Sequence, residues 1–208
     1  MKSTEVTRPK AIIFDLGKVL VDFDYAMAAR SIAGHGRLSA DQVRQFIDHS
    51  PLLCQFETGQ ISREQFFAEI QATTGFSGGI DEFSGFFADI FTPIGPMVTL
   101  HAELRERGVP TYIFSNTNEL AAAHIRRSFP FFSRFDGYIL SYEHGAMKPD
   151  PRLYEVVEAK TGCRSHQLFY VDDRPENIET AARRGWQVNL HRSPEETRKV
   201  IESALLAF

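Results

Sequence analysis

The sequence is poor in cysteine and carries no excess of positive charge. It has two cysteines, Cys54 and Cys163, in 208 residues, and neither belongs to a Cys-x-x-Cys pair or a Cys/His cluster. A disulfide framework or a zinc site is therefore not expected. Lysine and arginine total 23 against 27 aspartates and glutamates, a formal net charge of −4. This balance lacks the basic character of nucleic-acid-binding proteins, so we expect no nucleic-acid partner.

Long apolar runs are missing as well. No stretch approaches the roughly 18 apolar residues of a membrane-spanning helix, and the polar start MKSTEVTRPK lacks the apolar core of a signal peptide. We therefore expect a cytoplasmic protein without a membrane partner. A chain of 208 residues is long enough for one domain with a sizeable core and a smaller insert. We expect a monomer or a weak homodimer.

Short apolar runs that end in polar residues are the main pattern that is present. The runs are AIIF before Asp15, TYIF before Ser115 to Asn118, GYIL before Ser141, and LFYV before Asp172 and Asp173. From about Pro93 onward they alternate with helix-length segments, which predicts an α/β fold with a doubly wound parallel sheet. Ligands of such sheets bind outside the carboxyl ends of the strands, so these polar residues are expected to line one crevice.

A second unit is predicted inside this pattern. After Asp15 the next strand-like run appears only at about Thr111, much farther along than a strand-helix-strand crossover requires. Ser39 and Ser62 each precede apolar residues at helical spacing, and Gly75 follows the second segment, as expected of helix ends. Phenylalanines crowd this interval, which is typical of the core of a helical bundle. We predict a helical insert at 22–92, with 1–21 and 93–208 forming the sheet domain.

Two of the strand ends suggest an anion site. Ser115 offers a hydroxyl, Asn116 an amide, and the helix that follows presents backbone N–H groups, which favour a phosphate. Lys148, in a loop stiffened by glycine and proline, could add a positive point charge. The alternatives are an ordinary helix N-cap formed by residue 117 or 118 and a solvated lysine.

The remaining strand ends are acidic. Asp172 and Asp173 are adjacent, so in an extended chain they point to opposite sides and only one can readily face a metal. Together with Asp15 they form an all-oxygen set that suits Mg²⁺. Each signal has a simpler alternative: Asp15 as a loop cap, and one of the pair as a helix cap. Gly17 is expected to allow a tight turn with unusual φ.

Taken in order, the motifs FDLGKVLVDFD, FSNTN, MKPDPRLY and FYVDDRPENIETA resemble those of the haloacid dehalogenase superfamily. The motif sequences are most similar to those of its phosphatase branch, in particular to those of sugar-phosphatase-like members. The resemblance implies a Rossmann-like core with a helical cap inserted after the first strand. It also implies that Asp15 is the nucleophile that forms an aspartyl-phosphate, and that Ser115 and Lys148 bind the transferring phosphoryl group.

The resemblance further implies a Mg²⁺ site. In it Asp173 is a direct ligand with Asp15, Asp172 acts mainly through metal-bound water, and the backbone carbonyl of Gly17 completes the shell. One position departs from the family: most of its phosphatases carry an aspartate two residues after the nucleophile, which protonates the leaving group, and this chain has Gly17. Loss of a general acid typically costs about 10² to 10⁴ in rate.

Three functions are open at this point. The first is a Mg²⁺-dependent phosphatase acting on a small phosphorylated metabolite, with a sugar phosphate as the expected class and Glu57 as a substrate-facing cap residue. The second is a dehalogenase, which would use Asp15 on carbon and need no metal, leaving the acidic pair at the fourth strand end unexplained. The third is a non-catalytic phosphometabolite-binding regulator, which Gly17 favours and an intact nucleophile disfavours.

Overall fold

The computed structural model describes residues 7–48 and 51–206. Seven strands lie in this part of the chain: β1 (Ala11–Phe14), β2 (Val21–Phe23), β3 (Phe91–Pro93), β4 (Thr111–Ser115), β5 (Gly137–Leu140), β6 (Leu168–Asp172) and β7 (Gln187–Leu190). The α-helices are α1 (Tyr25–Ala33), α2 (Ala40–Asp48), α3 (Pro51–Glu57), α4 (Arg63–Thr74), α5 (Ile80–Ala88), α6 (Gly95–Glu106), α7 (Glu119–Ser128), α8 (Pro151–Thr161), α9 (Pro175–Arg183) and α10 (Pro194–Leu206).

Five strands form one parallel sheet in the order β5-β4-β1-β6-β7. Side chains of β1 alternate between its faces. Ile12 and Phe14 join one core with α6, α7 and α10, and Ala11 and Ile13 join another with α8 and α9. Helices on both faces explain why β1 is apolar and buried throughout. The predicted doubly wound α/β fold is confirmed.

The stretch after Asp15 contains strands that the sequence did not predict. β2 and β3 pair in antiparallel fashion, with Val21 opposite Pro93 and Phe23 opposite Phe91. With three residues each, they are too short to give a periodic signal. The expectation of no strand before about Thr111 was therefore wrong. The pair brings together the two ends of the segment that carries α1 to α5.

The helices α1 to α5 enclose an apolar core of their own. Seven of its members are aromatic or branched side chains that are almost fully buried: Ile32, Val43, Phe56, Phe66, Ile70, Phe83 and Phe87. The predicted caps of α4 are present: Ser62 caps its start in a capping box and Gly75 ends it at φ 71°. Ser39 Oγ accepts a hydrogen bond from Gln42 N at 3.3 Å ahead of α2.

Two further sequence expectations can be compared with the described residues. Cys54 is exposed and Cys163 is buried, and both are free thiols. Within residues 7–48 and 51–206, no helix is long and apolar enough to cross a membrane.

Candidate active site

A cavity of about 260 Å³ opens at the carboxyl end of the parallel sheet. Asp15 follows β1, Ser115 ends β4, and Lys148 comes from the loop between β5 and α8. Most residues that the sequence placed at this edge line the cavity, among them Asp15, Gly17, Glu57, Ser115, Asn116, Lys148 and Asp173, whereas Asp172 and Ser141 do not. The parallel sheet brings these distant residues together because its strands all end at the same edge.

Lys148 is the central cation of the site. Its Nζ lies 2.9 Å from Asp15 Oδ1 and 2.7 Å from Asp172 Oδ2, and it donates to the Phe114 carbonyl at 2.9 Å. Burial alone would lower the pKa of this ammonium, but the two carboxylates raise it above its ordinary value. Burial raises the pKa of Asp15, which Lys148 counteracts. Lys148 is therefore held charged, and it is not a solvated lysine.

Asp172 and Asp173 have different surroundings. Asp172 is fully buried, and its carboxylate accepts hydrogen bonds from Lys148 Nζ, the Tyr170 hydroxyl, Asn177 Nδ2 and the Arg174 backbone N–H. Asp173 is half-buried and lines the cavity. Lys148 therefore balances the charge of Asp172, whereas the Asp173 carboxylate faces the cavity.

Asn116 holds the Lys148 backbone. Lys148 N donates to Asn116 Oδ1 at 2.7 Å, and Asn116 Nδ2 donates to the Lys148 carbonyl at 3.0 Å. Nearby, Thr117 N donates to Ser141 Oγ at 2.9 Å, and Asn118 caps α7 through Ala121 N at 3.0 Å. The polar groups expected to form a phosphate cradle thus have internal partners, and the buried Ser115, whose hydroxyl donates to the Asn116 carbonyl at 3.2 Å, borders the cavity.

The turn after Asp15 differs from the expectation for Gly17. The positive φ of 58° belongs to Lys18; Gly17 does not have one. A side chain at residue 17 would instead crowd the Phe23 ring, since a Cβ there would lie 2.9 Å from its Cε1. The ring occupies the position that a side chain at residue 17 would need, so the cavity has no room for a carboxylate there unless Phe23 shifts.

Glu57 reaches the cavity from the last turn of α3. Burial raises the pKa of its carboxyl to about 7, with the nearby Arg174 guanidinium pulling in the opposite direction. Its backbone carbonyl accepts a hydrogen bond from Ser141 Oγ at 2.6 Å. This contact links the α1 to α5 region to the sheet domain directly beside the strand ends.

The residues at the cavity suit a divalent cation and an anion. Carboxylate oxygens of Asp15, Asp172 and Asp173 lie within 4.8 Å of one another, and such hard oxygen ligands are those that Mg²⁺ prefers. Within the described residues, three buried side-chain atoms lack hydrogen-bond partners: Thr7 Oγ1, Asn118 Nδ2 and Asn177 Oδ1. Asn118 and Asn177 line the cavity. A donor and an acceptor left open there fit a site that takes a polar ligand.

Two residues of the site, Tyr170 and Asn177, were not found from the sequence, and both hold Asp172. Ser141 was expected to line the crevice, but it bridges residues 57 and 117 and does not border the cavity. Asn177 carried a usable signal, because a residue in the first turn of the helix after β6 faces back toward the strand end. Tyr170 gave no such signal, because it lies within the apolar run LFYV of β6.

Comparisons with known proteins agree with this fold. The family model described as haloacid dehalogenase-like hydrolase matches residues 9–185. A sesquiterpene phosphatase from Aspergillus oryzae is 27% identical, covering 88% of this chain and 89% of its own length. A D-ribitol-5-phosphate phosphatase from Bacteroides thetaiotaomicron is 22% identical over 86% of this chain and 89% of its own.

Solved structures are similar over nearly the whole chain. A haloacid dehalogenase-family enzyme from Bacteroides thetaiotaomicron superposes with a TM-score of 0.82 at 22% identity, covering 93% of this chain and 98% of its own. Its complex with magnesium and inorganic phosphate gives a TM-score of 0.77 at 21% identity, covering 88% and 94% of the two chains. The family model spans most of the sequence, and the parallel sheet flanked by helices is the fold that the motifs predicted. The chain belongs to the haloacid dehalogenase-like hydrolase family.

Proposed function

We propose that this protein is a Mg²⁺-dependent phosphatase that hydrolyses a small phosphorylated metabolite through an aspartyl-phosphate on Asp15. The observation that carries the proposal is the position of Lys148, whose buried ammonium lies 2.9 Å from Asp15 Oδ1 and borders the same cavity. A fixed cation beside a carboxylate nucleophile is suited to an anionic substrate, because it stabilises the charge of the phosphoryl oxygens.

In the proposed reaction, Asp15 attacks phosphorus and the bond to the leaving oxygen breaks. Water then attacks phosphorus in the acyl phosphate, releasing inorganic phosphate and the Asp15 carboxylate. Lys148 and Ser115 hold the phosphoryl oxygens. Asn116 positions Lys148 through their paired hydrogen bonds, and direct substrate binding by its amide stays a prediction.

Mg²⁺ would be held by Asp15, Asp173 and the Gly17 carbonyl, with Asp172 acting through water. When bound, it would neutralise phosphoryl charge during transfer. The different surroundings of the two aspartates support these separate roles. Asp172 accepts hydrogen bonds from Lys148 and Tyr170, whereas Asp173 borders the cavity. The magnesium and phosphate complex of the related Bacteroides enzyme supports the choice of metal.

Residues 22–92 are proposed to form a cap over the site, with Glu57 facing the substrate. The separate apolar core of α1 to α5 supports this division, as does the β2-β3 pair at its two ends. Sugar and polyol phosphates are the proposed substrate class. The phosphatase named for D-ribitol 5-phosphate supports it, and the sesquiterpene phosphatase widens the set of compounds to test.

The test is a panel of sugar, polyol and prenyl monophosphates assayed with Mg²⁺ and with a chelator, using wild type and Asp15→Asn. We expect hydrolysis of at least one compound, loss of hydrolysis on chelation, and no turnover by Asp15→Asn at nearly unchanged thermal stability. Turnover of a 2-haloacid that is insensitive to chelator would instead indicate a dehalogenase. Binding of a phosphate ester without turnover would indicate a regulator.

A further inference from the structure

Cleavage of an alkyl phosphate leaves an alkoxide, which needs a proton as the bond breaks. The carboxyl groups that line the cavity are those of Asp15, Glu57 and Asp173. Asp15 is the proposed nucleophile, and Asp173 belongs to the proposed metal site. Lys148 is held between two carboxylates, and no histidine is among the described residues that line the cavity. Glu57 is the remaining carboxyl.

The backbone around Glu57 is fixed against the sheet domain. Ser141 Oγ donates to the Glu57 carbonyl at 2.6 Å. Two residues later, Gly59 turns the chain at φ 66°, where an added Cβ would lie only 2.2 Å from the Tyr142 carbonyl oxygen. The turn therefore packs backbone against backbone, which only glycine allows. These two contacts hold the end of α3 at the cavity.

The setting of Glu57 also suits proton exchange. Burial raises the pKa of its carboxyl to about 7, opposed by Arg174. The other charged groups around the cavity are Asp15, Lys18, Lys148 and Asp173. Lys18 is engaged by Asp22 and by the Phe23 carbonyl at 2.9 Å. A group that titrates near neutrality is an efficient general acid and base, because both of its forms are populated.

We propose that Glu57 is the catalytic residue that protonates the leaving oxygen, an inference that rests on the phosphatase function proposed above. As Asp15 bonds to phosphorus and the phosphorus-oxygen bond to the leaving group breaks, the Glu57 carboxyl transfers its proton to that oxygen. In the second step the Glu57 carboxylate accepts a proton from the attacking water. Phosphorus then bonds to the water oxygen, and Asp15 leaves as a carboxylate.

The test compares kcat/KM of Glu57→Gln for an alkyl phosphate and for p-nitrophenyl phosphate. This constant covers the steps up to loss of the leaving group, and nitrophenolate needs little protonation. We expect a fall of about 10² to 10⁴ for the alkyl ester and less than about tenfold for the aryl ester. Because the protonated carboxyl is the active form, wild-type kcat/KM for the alkyl ester should fall as pH rises above about 7. In Glu57→Gln the fall of kcat/KM at high pH should be absent.

Two further variants serve as comparisons. Glu69→Gln removes an exposed carboxylate of α4 and should change neither substrate. Tyr25→Phe removes the phenol at the cavity and should leave the alkyl-to-aryl ratio unchanged. An equal loss for both esters in a folded Glu57→Gln protein, or the selective loss in Tyr25→Phe, would overturn the assignment. Wild type inactive on both esters, or an active Asp15→Asn, would contradict the phosphatase function and the role of Glu57 with it.

Discussion

Asn116 and Lys148 exchange two hydrogen bonds, one in each direction, between the side-chain amide of the first and the backbone of the second. The two residues are 32 positions apart and follow different strands. Through this pair the end of β4 sets the position of the loop that carries the Lys148 ammonium. The position of the ammonium between Asp15 and Asp172 therefore depends on the Asn116 amide, which bonds to the Lys148 backbone and not to the two carboxylates.

Asn116→Ala should lower kcat/KM by roughly 10²-fold, the typical cost of displacing a catalytic group by about 1 Å. It should also reduce stability by about 1 to 3 kcal/mol, since the buried Lys148 N–H loses its partner. Asn189→Ala, which removes an amide bonded to Thr197 Oγ1 at 3.0 Å, is the control for loss of an asparagine hydrogen bond. Equal kcat/KM for the two variants would argue against a positioning role of Asn116.

Asp173→Asn should mainly weaken Mg²⁺ binding, whereas Asp172→Asn should mainly reduce stability. Asp173→Asn should raise the Mg²⁺ concentration for half-maximal activity by more than the 10- to 100-fold typical of outer-shell partners, with little change in Tm. Asp172→Asn should lower the free energy of unfolding by about 3 kcal/mol, since it breaks the buried ion pair with Lys148. For a chain of this size that corresponds to about 6 to 12 °C in Tm. Mg²⁺ titrations of activity and thermal unfolding with and without metal would measure the two effects. Identical Mg²⁺ requirements and Tm values for the two variants would contradict separate roles for Asp172 and Asp173.

Substrate size should be limited by the cap. The cavity of about 260 Å³ is at the small end of ligand sites, which are typically about 300 to 1,000 Å³, and Glu57 borders it from α3. We expect kcat/KM for a phosphopeptide to be at least about 10²-fold below that for a hexose phosphate. The bulky peptide would prevent the proposed cap from closing and excluding water. Steady-state assays on the two substrates check this. Comparable values would mean that residues 22–92 do not close over the substrate.

His101 should make stability depend on pH. Its ring is 1% exposed, stacks on Phe135 with centroids 3.8 Å apart, and lies 3.1 Å from Thr111 Oγ1. Burial lowers the pKa of His101 from 6.5 to about 4, with smaller contributions from the Arg105 and Arg134 charges. The folded state thus favours neutral histidine. The stabilisation is complete above pH 6.5 and is lost as pH falls toward 4, by up to roughly 3 kcal/mol.

Urea unfolding of wild type and His101→Gln at several values between pH 7 and pH 4 measures this effect. The difference in free energy between the two proteins should shrink as the pH falls. His144→Gln, at an exposed position, should keep the wild-type slope. A constant difference between wild type and His101→Gln would show that His101 does not titrate on unfolding.

The parallel sheet and the residues at its carboxyl edge could be predicted from the amino-acid sequence. Apolar runs such as AIIF and LFYV can be buried only between two layers, and parallel strands end together, so Asp15, Ser115 and Asp173 had to converge. The N-cap at Ser62 and the left-handed glycine at Gly75 were equally readable, because they depend on neighbouring residues alone.

The differences between the residues of the site depend on contacts that form in the folded protein. Asp172 and Asp173 have identical side chains, and burial beside Lys148 and Tyr170 separates them. The same holds for Gly17, where the need for glycine comes from the Phe23 ring and the positive φ belongs to Lys18. Strands β2 and β3 form because residues about 70 positions apart meet, and the pKa of Glu57 depends on how deeply its neighbours bury it. Periodicity and local propensity describe neighbours in sequence, whereas charge balance, desolvation and steric fit depend on neighbours in space.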